Sequence, residues 1–206
     1  MSGAAEPTVV RIPREDVSRV IDTLTQAFHD YPVMRYVLGD CGGEYDTRLH
    51  TLVGFFVMAR ALRDEPLFGI PESDQLCAAA IVSYPERAES PDELGALREQ
   101  VWAEVGQDAR ARYDRCGQIW QPLGVEAPHI HLNMIGVLPS HQGRGLARRL
   151  LDHVHGLSRS TPGSEGVTLT TEDPGNVAIY RRVGYEVVGH ARVAPELETW
   201  AMFRRN

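Results

Sequence analysis

Lysine is absent from the chain of 206 residues, so all 21 of its basic residues are arginine. This absence excludes a nucleoside-triphosphate loop of the form G-x-x-x-x-G-K-[ST], in which a lysine contacts the phosphates. Cysteine is scarce: the chain has 3, at scattered positions that fit neither a metal site nor a disulfide framework. Cys41, Cys77 and Cys116 are therefore expected to be reduced thiols.

Long apolar runs are absent as well. No stretch of about 18 apolar residues occurs, and residues 1–8 lack the basic and apolar regions of a signal peptide. The net charge of -7 and the sequence pI of about 5.6 argue against a general affinity for nucleic acid or anionic membranes. We therefore expect a cytoplasmic protein, monomeric or homodimeric, that folds as one domain over residues 1–206.

The most informative stretch is residues 131–151, where a strand runs through a glycine-rich turn into a helix. The strand from His131 to Leu138 is apolar and branched, and Pro139 ends it because proline cannot donate to a ladder. Gly143 and Gly145 allow positive φ and close approach to the backbone. The unpaired amides at the start of the following helix, together with its dipole, predict an anion site. A dinucleotide fingerprint G-x-G-x-x-G is excluded because its third glycine is missing.

The turn resembles that of a known family. Gln142-Gly143-Arg144-Gly145-Leu146-Ala147 is similar to the Q/R-x-x-G-x-G/A motif of the GNAT superfamily of N-acetyltransferases. Two further blocks, Ile135–Pro139 and Asn176–Tyr185, resemble the family's acetyl-CoA strand and its fourth helix with the following strand. Together the blocks cover roughly residues 128–190, and their detail resembles acetyltransferases of the puromycin-resistance type.

The resemblance implies an α/β fold of the mixed α+β kind. A mostly antiparallel central sheet of about seven strands would carry a splayed parallel pair at the coenzyme site, with helices on both faces. Acetyl-CoA would be the co-substrate, and no metal is expected. The residues implied to hold the coenzyme, largely through their backbone, are Ile135, Gly136, Val137, Gln142, Gly143, Arg144, Gly145, Leu146, Ala147, Arg148, Asn176 and Tyr180. Asn176 could equally cap the helix that begins near it.

Catalytic candidates follow from the same resemblance. Tyr180 occupies the place of a tyrosine that protonates the leaving thiolate, a role that suits a phenol; it could instead be a packed core residue. His131, 11 residues before Gln142, occupies a position that carries a glutamate base in some relatives. Histidine can serve as that base, with His129 as a relay. Alternatively the two histidines line the pocket or form a His-x-His metal site, which lacks a convincing third ligand.

The acceptor side of the site is less specified. Phe28 and Tyr31 lie between two predicted helices, where the family borders its acceptor pocket, but they could simply pack these helices together. The segment 90–118 is predicted to be a helical insertion that opens with a capping box at Ser90–Glu93. It could roof the acceptor site or serve only as packing. Further carboxylates near the expected cleft, without a specific signal, are Glu126, Glu172 and Asp173.

Periodicity and turn residues predict the remaining elements. Alternation along residues 129–138 puts Ile130, Leu132, Met134 and Leu138 on one face, but the family resemblance implies a β-bulge near Asn133 or Met134 that would break this alternation. Strands are predicted at 8–12, 67–70, 75–84, 129–138, 166–171, 185–193 and 198–203, and helices at 13–28, 45–62, 90–118, 146–157 and 176–183, with a turn at Pro71–Asp74.

The sequence therefore predicts an enzyme that moves the acetyl group of acetyl-CoA to a primary amine of a small molecule by direct attack. Three other functions stay open. The protein could be a non-catalytic acyl-CoA-binding sensor or regulatory protein of the same fold, an acetyltransferase for protein N-termini, or a nucleotide-binding module without acyl chemistry.

Overall fold

A computed structural model describes residues 8–86 and 90–206 of the chain. Seven strands form one sheet in the order β1-β2-β3-β4-β5-β7-β6. All neighbouring strands are antiparallel except β4 and β5, which are parallel. The strands are β1 (Val10–Arg11), β2 (Leu67–Glu72), β3 (Gln75–Ser83), β4 (Ile130–Val137), β5 (Gly166–Thr171), β6 (Glu186–Ala194) and β7 (Leu197–Arg205).

Helices cover both faces of the sheet. One hydrophobic cluster joins one face to the first five helices, and a second joins the other face to the sixth and seventh. The predicted mixed fold, with a mostly antiparallel seven-stranded sheet, a parallel pair and helices on both faces, is thus confirmed. The helices are α1 (Val17–Ala27), α2 (Pro32–Leu38), α3 (Tyr45–Ala61), α4 (Asp92–Val105), α5 (Gln107–Trp120), α6 (Leu146–Ser160) and α7 (Pro174–Arg182).

The bulge in β4 lies where the family resemblance implied it. Ile81 of β3 pairs with Met134, and the next residue, Val82, pairs with Leu132, so that Asn133 is skipped. The side chains on either side of the bulge consequently face opposite layers: Leu132 packs with α6, whereas Met134 packs with the cluster of α1 to α5. The alternation that would put Leu132 and Met134 on one face is therefore broken between them, as the expected bulge implied, because the extra residue reverses it.

Several predicted local features are wrong. Helix α2 was missed, because its seven residues are too short to show a helical period. The predicted capping box does not form: Pro91 is the N-cap of α4, and the hydroxyl of Ser90 accepts a hydrogen bond from Arg63 instead. The turn between β2 and β3 is also tighter than predicted, since β2 extends to Glu72 and leaves Ser73, at φ 55°, and its neighbour as the turn.

The helical region predicted over residues 90–118 consists of two helices, α4 and α5, between β3 and β4. They meet at Gly106, whose φ of 104° ends one helix and begins the next. Both segments pack into the core through buried side chains such as Trp102 and Cys116. In the part of the chain that the structure describes, no helix is long and apolar enough to cross a membrane.

Candidate active site

Strands β4 and β5 separate shortly after they begin. Their parallel pairing runs through Ile130 with Val167 and His131 with Thr168, and the strands then diverge on the side of the β4 bulge. A cavity of about 810 Å³ opens along this divergence. Backbone groups of β4 beyond the bulge are thereby released on that side from pairing with a neighbouring strand, and they become available to a ligand.

The glycine turn forms one end of this cavity. Gly143 and Gly145 both have left-handed backbone, with φ of 75° and 76°, and a Cβ added to either would meet no heavy atom within 4 Å. Gly145 is the N-cap residue of α6, and no side chain caps that helix end. The first amides of α6 therefore face an open concavity that suits an anion.

Gly136 is a glycine for a different reason. A Cβ at this position would lie 2.6 Å from the Cβ of Ala27, because α1 packs tightly against β4 there. The residue lines the cavity. Its lack of a side chain thus allows the helix to approach the sheet, a requirement that the motif alone does not show.

Tyr180 lies in the wall of the cavity, on α7. Its ring contacts that of Tyr185 at 5.6 Å between centroids. Burial and the nearby Glu172 carboxylate raise the pKa of Tyr180 to about 12. The phenol therefore remains protonated near neutral pH, as a proton donor requires.

Asn176 lines the same cavity one helical turn before Tyr180. Its side-chain amide donates to Thr171 Oγ1 at 3.4 Å. It does not cap α7: Asp173 is the N-cap, and its Oδ1 accepts from the Gly175 amide at 2.8 Å. The alternative of Asn176 as a capping residue was thus wrong, because the helix begins two residues earlier than predicted.

The two candidate histidines have different surroundings. His131 lines the cavity, and its Nδ1 lies 2.9 Å from Thr168 Oγ1 on the neighbouring strand. His129 is not among the described residues that line the cavity; its Nδ1 lies 2.6 Å from the Ala127 carbonyl oxygen.

Among the described residues, one group could hold a metal ion, and it consists of Glu72, Cys77 and His141. Neither His129 nor His131 belongs to this group.

Aromatic side chains line the other end of the cavity. Phe28 and Tyr31 contact each other edge to face, with ring centroids 4.9 Å apart. The Tyr31 hydroxyl accepts a hydrogen bond from the Glu172 amide at 3.0 Å and lies 2.9 Å from Thr171 Oγ1. Burial raises the pKa of Tyr31 above the ordinary phenol value. Three more rings line this end of the cavity: Phe56, Tyr113 and Trp120. We call the end of the cavity that these five aromatic residues line the acceptor arm.

Glu172 lies inside the acceptor arm, directly after β5. Its side chain is buried, and Oε1 accepts from Thr199 Oγ1 at 2.7 Å. Thr199 in turn accepts from Trp120 Nε1 at 3.1 Å. Burial raises the pKa of Glu172, and hydrogen bonds from Thr199, Tyr31 and Trp120 oppose that shift without cancelling it.

A family model and a solved structure both match this chain. A family model described as an acetyltransferase (GNAT) domain matches residues 98–187. The structure of the histone acetyltransferase HPA2 and related acetyltransferase from Corynebacterium glutamicum superposes with a TM-score of 0.65 at 16% identity, over 96% of this chain and 95% of that one. The chain has the GNAT fold.

Two other solved structures share this fold. The C-terminal condensation domain of Ebony, in complex with beta-alanyl-dopamine, has a TM-score of 0.65 at 12% identity, with 98% of this chain and 99% of that chain covered. The ribosomal-protein-S18-alanine N-acetyltransferase from Escherichia coli has a TM-score of 0.55 at 14% identity, with 97% and 94% covered. Proteins with quite different names therefore share the fold of this chain.

Within the GNAT fold, the two predicted arginines lie away from the cavity lining. Arg144 pairs with Glu72 of the β2–β3 hairpin, at 3.0 Å and 2.5 Å. The Arg144 guanidinium lowers the pKa of the Glu72 carboxyl to about 2. Arg148 pairs with Asp152 on the same helix at 2.9 Å. Of the twelve residues implied to hold the coenzyme, the described cavity lining includes all but these two.

A polar network at the bulge was not expected. Ser83 donates to Asn133 Oδ1 at 2.9 Å and accepts from Arg60, which also pairs with the buried Glu65 at 3.0 Å. Arg60 and Asn133 both line the cavity. Sequence patterns could not reveal this network, since its members come from α3, the following loop, β3 and β4 and meet only in the folded chain.

Proposed function

We propose that the protein is an acetyl-CoA-dependent N-acetyltransferase whose acceptor is the primary amine of a small molecule. The observation that supports this proposal most directly is the divergence of β4 from β5. It joins, in one cavity, a glycine turn suited to phosphate, a tyrosine suited to proton donation and an aromatic arm with a buried carboxylate.

The residues present suit the coenzyme. The amides at the start of α6 would bind the pyrophosphate, because Gly143 and Gly145 leave room beside the backbone. Backbone groups of Ile135 to Val137, and the Asn176 side chain, would bind the pantetheine arm; all of these residues line the cavity. Leu146 is buried at the first position of α6 and anchors the turn to the core.

The reaction needs a polarised carbonyl and two proton transfers. The acetyl thioester supplies the electrophilic carbonyl. A β4 amide beyond the bulge would donate to its oxygen, a contribution often worth about 3 kcal/mol. Tyr180 would protonate the sulfur as the C–S bond breaks. For the proton of the incoming ammonium, the sequence favours His131, which lines the cavity where the strands are still paired.

A small acceptor is favoured by the walls of the arm. Side chains of α3 and α5, among them Phe56 and Tyr113, line it together with residues of α2. These helices would restrict the space for an extended polypeptide. The similarity of residues 136–139 and 176–180 to the puromycin-resistance type supports the same class of acceptor. The charge of -7 gives no support to a nucleic-acid partner.

Two measurements test the proposal. Acetyl-CoA should raise the melting temperature, because a ligand that binds only the folded state stabilises it by about 2.7 kcal/mol at a hundredfold excess over Kd. A panel of small primary amines should then release coenzyme A as free thiol. Binding without thiol release from any amine would instead indicate a sensor. Equal binding of ATP and acetyl-CoA in competition would indicate a nucleotide module.

A further inference from the structure

Glu172 lies in the wall of the acceptor arm, at the end of β5. It follows β5 directly, and strand alternation puts its side chain on the same side as those of Thr168 and Thr170. Glu172 and Thr170 line the cavity, and Glu172 is 6% exposed. The carboxylate therefore borders the cavity while being shielded from bulk water.

The hydrogen bonds to this carboxylate come from neutral groups. Thr199 donates to Oε1, and the side chains of Tyr31 and Trp120, which are also neutral, lower the pKa of the carboxyl group. A buried carboxylate supported by neutral donors has lost hydration that a cationic partner would offset. An ammonium group that enters the cavity could supply this partner, and binding would then favour the ionised carboxylate.

The surrounding rings suit the same ligand. Tyr31 and Trp120 belong to the Glu172 network and also form walls of the acceptor arm, beside Phe28. Aromatic faces attract cations, and their area accommodates an apolar or aromatic body. One end of the arm thus combines a carboxylate with aromatic walls.

We propose that Glu172 binds the ammonium of the acceptor and takes its proton, and that the acceptor is a primary amine on an apolar or aromatic body. The inference rests on the proposed acetyltransferase function. It assigns to Glu172 the role for which the sequence favoured His131.

Position along β5 separates the two candidates. His131 lies at the last described pair of β4 and β5, opposite Thr168. Glu172 lies four residues beyond Thr168, or about 13 Å further along an extended strand.

The hydrogen bonds of Thr171 connect this end of β5 to α7. The Thr171 hydroxyl links Tyr31 to Asn176 of α7, the helix that carries Tyr180. Glu172 and Tyr180 therefore border the cavity at the same end of β5.

The proton and electron balance is complete. An N–H proton passes from the ammonium to a Glu172 oxygen, and the nitrogen lone pair then forms the C–N bond to the thioester carbonyl carbon. When the tetrahedral centre collapses, the C–S bond breaks and Tyr180 supplies the proton of the thiol. The second N–H proton restores Tyr180, and the proton on Glu172 leaves to solvent. The products are the amide, coenzyme A and one proton.

Among the described residues, the charge of Glu172 acts on Tyr31, Tyr180 and Cys116, and burial raises the pKa of each of them, to about 12 for the last two. All three therefore stay neutral while Glu172, whose pKa is also raised, changes charge. A Glu172-dependent limb in a pH profile would thus be separable from these three groups.

A binding experiment tests the ammonium site without turnover. Benzylamine and benzyl alcohol are titrated into the coenzyme A complex of the wild type and of Glu172→Gln, which keeps an oxygen acceptor for Thr199. Benzylamine should bind at least tenfold more weakly to the variant, while benzyl alcohol should bind both proteins equally. The matched control is Glu165→Gln, at the other end of β5 in an exposed pair with Arg205. Failure of benzylamine to bind the wild type, or equal binding to wild type and Glu172→Gln, would overturn the proposal.

Turnover separates binding from proton transfer. With one acceptor throughout, Glu172→Gln should lower kcat/KM about a hundredfold at neutral pH and lose the acid limb, with the acetyl-CoA thermal shift unchanged. Loss of the acid limb in His131→Gln and its retention in Glu172→Gln would overturn the assignment. An absent thermal shift with acetyl-CoA in the wild type would instead count against the proposed function itself.

Discussion

Glu72 and Arg144 form a two-point ion pair beside the glycine turn, with the guanidinium nitrogens 3.0 Å and 2.5 Å from the two carboxylate oxygens. Glu72 lies at the end of β2, whereas Arg144 is in the turn itself. His141 Nε2 lies 2.8 Å from the same carboxylate. The Glu72 carboxylate thus lies next to the proposed phosphate site. It pairs with Arg144, the arginine of the motif that could otherwise pair with a phosphate.

Replacing Glu72 with glutamine should therefore strengthen acetyl-CoA binding by about two- to fivefold at low salt, the range expected for an exposed ion pair. The gain should shrink at high salt, where exposed charges are screened. Calorimetric titration at two ionic strengths measures both effects. Glu99→Gln, which breaks the exposed pair with Arg110, is the matched control. Weaker binding in Glu72→Gln would show that Glu72 orients the turn rather than competing with the coenzyme.

The phosphate turn makes a second prediction. Gly145→Val should remove most of the thermal shift caused by acetyl-CoA, because a branched side chain would fill the concavity at the start of α6. Gly163 provides a control, since its φ of 75° matches the 76° of Gly145 and its Cβ position is equally open. Both substitutions should cost about 1–2 kcal/mol of backbone strain, but Gly163→Val should keep the full thermal shift. Equal shifts in both folded variants would contradict the assignment of the turn.

The parts of the fold that the sequence predicted are those with local signals. Pro139, Gly143 and Gly145 determine the strand, the turn and the helix start within a dozen residues, and β5 has the predicted bounds of 166–171. The parts that it missed depend on distant partners. Ser90 would cap a helix, but Arg63 engages its hydroxyl in the folded chain.

The acceptor arm illustrates the same limit at the site. Trp120, Glu172 and Thr199 form one network although they are far apart in the chain. Glu172 shows no local feature that separates it from Glu126 or Asp173. Its burial and its neutral donors emerge from the packing of α5, β5 and β7, and no motif encodes them.

Tyr180 leads to a third prediction. Tyr180→Phe should lower kcat about a hundredfold or more and leave acetyl-CoA affinity nearly unchanged, because the ring remains while the proton donor is lost. Tyr185→Phe is the control: it removes a buried hydroxyl that lies 3.1 Å from His155 Nε2, and it should lower stability without changing kcat. Loss of coenzyme affinity in Tyr180→Phe at unchanged kcat would identify the residue as a wall of the pocket.

His155 leads to a prediction about stability. This buried histidine lies on α6, and burial lowers its pKa to about 4 from the ordinary value of 6.5. Its folded pKa is depressed, so the unfolded chain binds a proton first as the pH falls. The contribution of neutral His155 to the free energy of unfolding is therefore fully present above pH 6.5, and it is lost as the pH falls from 6.5 to about 4. The shift corresponds to about 3 kcal/mol.

Urea unfolding at several pH values from 7.5 to 4 should therefore show a shallower loss of stability for His155→Gln than for the wild type, even though the variant starts lower because its contact with Tyr185 is altered. Carboxylates titrate in the same range, so the comparison rests on the difference between the two curves. His50→Gln, at an exposed histidine paired with Asp22, should follow the wild-type curve closely. Parallel curves for wild type and His155→Gln would mean that the protein relaxes around a charged His155 rather than unfolding to admit the proton.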